Sequence, residues 1–104
     1  MTILQALQAM VEYENDNLLT KALTDRGCAN TSATYTASDQ ATVELAAADV
    51  YLALLAHPEF REGSKYISYS KGALMSLRRE LLRKHGQLTA TVTAPVDSNY
   101  NKIW

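Results

Sequence analysis

The residues best equipped for chemistry are the cations Arg78, Arg79, Arg83 and Lys84 and the two histidines, His57 and His85. Arg79 and Arg83 are four apart, so a helix sets them on one face, where they could meet phosphates or a neighbour's carboxylates. No helix-turn-helix spacing accompanies them, and the whole chain sums to −1. The run therefore reads first as a solvated face whose last turn complements the helix dipole, and next as a contact to an acidic subunit. Both histidines fall at expected helix ends, without the His-x-x-x-His or carboxylate–His spacing that metal binding needs. Glu12 and Glu14 lie two apart and point to different sides of a helix. No serine sits in a nucleophile-elbow pattern, and the four glycines are too scattered to cradle a phosphate. Cys28, the one cysteine, cannot form an intrachain disulfide and reads as a small half-buried hydrophobe. These residues point away from an enzyme, a metal site or a cofactor, and toward binding and assembly.

Those cations belong to a helix expected over residues 71–85, and three further helices are expected before it. Thr2 can cap a first helix from residue 3 to about residue 13, with Ile3, Leu4, Leu7, Met10 and Val11 on one face. The polar break Glu14-Asn15-Asp16-Asn17 can cap a second, with Leu18, Leu19, Ala22 and Leu23 as its stripe and Gly27 as its stop. Residues 28–37 form a loop with Tyr35 as an anchor. Ser38 or Asp39 starts a third helix reaching about residue 56, where Val43, Ala46, Ala47, Val50, Tyr51, Leu54 and Leu55 make a broad apolar face. His57-Pro58 ends it. Ser70 caps the last helix, whose stripe is Leu74, Leu77 and Leu81, flanked by Met75 and Leu82, and Gly86 closes it.

Between the last two helices lies Glu62-Gly63-Ser64-Lys65-Tyr66-Ile67-Ser68-Tyr69-Ser70. Its aromatic and β-branched content predicts a short strand, which must pair with another segment or another copy. From Gln87 the chain changes character: residues 88–93 alternate with period two and the segment ends in Tyr100 and Trp104. This predicts an extended arm that adds a strand to a neighbour, with Trp104 as an anchor, the alternative being a strand folded back onto its own domain. Charge is uneven. Residues 1–62 carry nine carboxylates against three cations, a sum of −6, and residues 63–86 carry six cations against Glu80, a sum of +5. Such asymmetry suits contact between copies, acidic face to basic face. The longest apolar run, residues 45–56, contains Asp49 and is too short to cross a bilayer. No basic start marks a signal peptide, and a reducing, cytoplasmic origin is expected.

The expectation is thus a mainly α single domain. It is a small bundle of about four helices over residues 1–86, with a short β element at 62–70 and an extended C-terminal arm over 87–104. The residues assigned to an oligomer or partner interface are Tyr66, Ile67, Tyr69, Arg78, Arg79, Arg83, Leu88, Val92, Tyr100 and Trp104. The rival function is a small nucleic-acid-binding or regulatory helical protein using the basic helix 71–85.

The order of these strings also resembles a known family. Asp25-Arg26-Gly27 closes the helix pair and Tyr35 marks the loop. Leu45-Ala46-Ala47-Ala48-Asp49-Val50-Tyr51-Leu52 is an alanine-rich helix. Pro58-Glu59-Phe60-Arg61-Glu62-Gly63 and Ile67-Ser68-Tyr69-Ser70 follow, and the last helix closes in Leu82-Arg83-Lys84-His85-Gly86. Over residues 1–86 this is similar to the small head–tail connector proteins of tailed bacteriophages, including prophage-encoded relatives. The resemblance implies a structural virion protein, made in the bacterial host cytoplasm and placed at the neck. It implies a ring, typically of twelve copies, between the portal protein and tail or further neck proteins. Genomic DNA would pass through without sequence-specific binding. It implies no catalytic residue, no cofactor and no membrane contact.

Overall fold

Four α-helices follow one another in the computed structural model, which describes residues 1–86: α1 (Ile3–Val11), α2 (Asp16–Asp25), α3 (Gln40–Ala56) and α4 (Lys71–Lys84). Short 3-10 turns at Ala37–Asp39, Pro58–Arg61 and Lys65–Ser68 occupy the connections. The protein is mainly α, as expected. The arm expected at 87–104, with Leu88, Val92, Tyr100 and Trp104, lies outside the described residues.

Several helix boundaries have a chemical cause in the hydrogen bonds around them. Thr2 and Gln5 form a reciprocal capping box at the start of α1, with N–H to side-chain oxygen distances of 2.9 and 3.1 Å. The loop 28–37 completes that end. Ile3 N–H donates to the Ala33 carbonyl at 2.9 Å and Leu4 N–H to the Thr31 carbonyl at 3.0 Å. Thr2 and Thr34 make an isolated antiparallel bridge. The first-turn donors that a helix cannot satisfy by itself thus find partners in the loop. α1 stops at Val11, two residues before the expected end, because Glu12 turns left-handed at φ 52°. That break separates α1 from α2, and the Asn15 side chain accepts from Leu18 N–H to start the second helix. α2 ends in a Schellman arrangement: Gly27 takes φ 93°, its N–H donates to the Thr24 carbonyl, and Cys28 N–H reaches the Leu23 carbonyl.

α3 is the central element and touches the other three helices. Val43, Ala46, Ala47, Ala48, Val50, Tyr51 and Leu54 are all buried along it. An apolar surface on nearly every side is the mark of a helix enclosed by others, and alanine permits close approach. α1 and α2 bring Leu7, Val11, Leu19 and Leu23 to this core, and α4 brings Leu74, all with no exposed surface.

The strand expected at 62–70 does not form. Gly63 turns at φ 77°, the Ser64 hydroxyl accepts from Tyr66 N–H, and Lys65–Ser68 closes a 3-10 turn. The cause is the spacing of the aromatics. A 3-10 turn brings residues i and i+3 to one side, whereas a strand would place Tyr66 and Tyr69 on opposite faces. Tyr66 is 1% exposed, edge-on to Tyr51 at 5.8 Å and to Tyr69 at 5.0 Å between ring centroids. Its hydroxyl donates to the carbonyl of Val11, at the C-terminal end of α1. Tyr66, assigned from the sequence to an interface, is therefore part of the core of the single chain.

Candidate functional site

α4 carries the cations of interest and lies antiparallel to α3. Lys84 and His85, at its end, reach Glu44 near the start of α3, at 3.0 and 2.7 Å. Partial burial works against the Glu44 charge, but hydrogen bonds from His85, Lys84 and Gln40 outweigh it and hold this carboxyl below its usual range. Arg83 lies 3.4 Å from Glu80, one turn before it. Two of the four cations in the basic run thus have partners inside the chain.

Among the described residues the other two do not. Arg78 and Arg79 line a groove between α3 and α4, together with Lys71, Met75, Leu52 and Leu55. Residues 71, 75, 78 and 79 share one helical face, so α4 presents them together as one wall of the groove. The Ser70 hydroxyl accepts from Ala73 N–H and fixes the first turn of that helix. Leu52 and Met75 are each about half exposed. Among the described residues Lys71, Arg78 and Arg79 have no carboxylate within ion-pair distance, and the buried Arg78 Nε has no acceptor.

A second concavity has the opposite character. Glu12, Glu14, Glu59 and Glu62 line a cleft between the end of α1 and the 58–65 segment, with Lys65 as the only cation lining it among the described residues. Lys65 is 3.2 Å from Glu12, which leaves three carboxylates uncompensated by it. The cleft and the groove share no lining residue. A separate, part-buried charge pair is structural: Arg26 holds Asp49 with two hydrogen bonds of 2.7 and 2.8 Å, tying the end of α2 to α3.

A family model described as a family of unknown function, DUF6706, matches residues 1–104. The chain belongs to the DUF6706 family. No curated protein and no solved structure matches it. The DUF6706 match continues through residues 87–104, so the segment beyond α4 is part of the family's span.

In this DUF6706 protein the residues assigned from sequence separate into distinct places. Arg78 and Arg79 come together in the groove, Arg78 half-buried and Arg79 exposed. Arg83 is exposed and paired with Glu80 instead. Ile67 projects outward at 62% exposure, while Tyr69 is half-buried against Tyr66 and its carbonyl accepts from Arg61. Lys71, Met75 and Leu52 are groove residues that the sequence reading missed. Met75 and Leu52 could have been found as apolar positions beside, rather than within, the buried stripes of their helices. The same geometry corrects Leu77, expected in the buried stripe of α4 but 37% exposed, because Leu74 and Leu82 take the buried positions. Among the described residues no helix is long and apolar enough to cross a membrane.

Proposed function

We propose that this protein is a structural subunit that associates with copies of itself, a head–tail connector ring component seated between a portal and a tail. The observation that carries the reading is the coexistence of two unlike surfaces on one small helical body. One is an apolar groove rimmed by Lys71, Arg78 and Arg79, and the other a cleft lined by Glu12, Glu14, Glu59 and Glu62. Unlike surfaces on one chain suit head-to-tail contact, the kind that closes into rings. The resemblance of residues 1–86 to connector proteins supports the same role, with about twelve copies, a portal partner, tail or neck partners, and DNA passing through unread. The role is structural rather than catalytic, needs no cofactor, and places the protein at the virion neck.

The rival, nucleic-acid binding by α4, is weakened by the ion pairs. Arg83 and Lys84 already face Glu80 and Glu44, so the run offers less than its sequence suggests for phosphates. The deciding experiment incubates the full chain with a portal ring from the genome that encodes this chain and images the product by electron microscopy. An added ring of density on the portal is the expected result. No portal binding, together with duplex DNA binding that falls steeply with salt, would overturn the proposal in favour of the rival.

A further inference from the structure

The groove between α3 and α4 has an apolar floor and a cationic rim, so its occupant must be apolar in part and acidic in part. We infer that it receives the 58–67 segment of a second copy of this chain. That segment carries Glu59 and Glu62, both exposed, and Ile67 at 62% exposure; its two cations are engaged within the chain, Arg61 on the Tyr69 carbonyl and Lys65 on Glu12. The match is of two kinds at once. Ile67 supplies apolar surface for Leu52 and Met75, each about half exposed in the free chain. Glu59 and Glu62 supply carboxylates for Lys71, Arg78 and Arg79, which among the described residues have no acidic partner of their own. The arginine fork is suited to carboxylates, and its apolar stem can cover the floor beside it.

The segment is built to be presented. Tyr66 locks it to the core through Tyr51 and Val11, and Arg61 ties its far side through the Tyr69 carbonyl at 2.8 Å. A rigid segment loses little freedom on docking. This inference rests on the self-associating role proposed above, but names the surfaces that role would use. It does not require the portal.

The test uses full chains in which Cys28 is replaced by Ser. One variant adds Glu62→Cys and the other Arg79→Cys. Mixed under mild oxidation, they should give a disulfide-linked heterodimer well above the yield of either alone. In parallel, sedimentation of Lys71→Glu/Arg79→Glu should show self-association weakened about tenfold or more. Glu59→Lys/Glu62→Lys should do the same, and mixing the two charge-reversed chains should restore association. All four positions are exposed, so helical circular dichroism should be unchanged. No preferential heterodimer, or no restoration on mixing, overturns the inference. The connector reading would still stand if the portal recruits the chain. A closed dimer trapped by the same disulfide would support the inference and count against a ring.

Discussion

Replacing Tyr66 by Phe separates two roles for the 62–70 segment. The ring, edge-on to Tyr51 and Tyr69, is retained, and only the hydroxyl is lost. That hydroxyl donates to the Val11 carbonyl, one of the last carbonyls of α1, in a buried setting. A buried acceptor left without its donor costs about 1–3 kcal/mol. For a domain of this size that corresponds to a fall of about 5–20 °C in Tm. Tyr66→Ala would add loss of the ring contacts and cost about 3–5 kcal/mol, a large part of the stability of a small domain. Urea titration followed by far-ultraviolet circular dichroism measures both, and sedimentation of the same samples measures association. The expected outcome is a destabilised Tyr66→Phe chain that still associates under conditions where it is folded. A variant as stable as the parent but unable to associate would refute the reasoning, because the hydroxyl would then be serving a neighbour.

Other substitutions probe the remaining joints. The Glu44 carboxyl is held below its usual range in the folded chain, so it stabilises the fold above the unfolded value of about 4.3 and loses that contribution as pH falls through the folded value. Glu44→Gln should therefore cost about 1 kcal/mol at pH 7 and converge with the parent in acid, which urea titrations at several pH values would reveal. Asp49→Asn breaks the two-bond clasp on Arg26 and should lower stability by about 1–3 kcal/mol in the same assay. Thr2→Ala removes the α1 cap, for a loss of about 1 kcal/mol by thermal melting. Ile67→Ser, at a site 62% exposed, should leave Tm within about a degree or two while weakening self-association.

The four helices were legible because their ends carry local chemistry. Thr2, Asn15 and Ser70 accept first-turn N–H groups, Gly27 and Gly86 take positive φ, and His57-Pro58 halts α3. The 62–70 segment was misread because β-propensity belongs to residue types, whereas its conformation is decided by where Tyr66 docks. The partner, Val11, lies 55 residues away, beyond any local pattern. The charge asymmetry was visible, yet part of it is spent within the chain. Glu44 meets Lys84, and Glu12 meets Lys65. Arg78 and Arg79 stood out as cations from the start. The period of α4 sets Lys71, Met75, Arg78 and Arg79 on one face, but the opposite wall of the groove, Leu52 and Leu55, comes from the packing of α3 against α4.

The capping of α1 has a consequence for biosynthesis. Its first turn is completed by carbonyls of Thr31 and Ala33, and its last carbonyl by the hydroxyl of Tyr66. The helix that leaves the ribosome ahead of the others is thus finished from both ends by segments translated after it. Nine residues are too few for an isolated helix to persist in water. The last of its capping partners, Tyr66, lies 55 residues beyond the carbonyl it serves, and the core closes only when α4 brings Leu74 and Leu82.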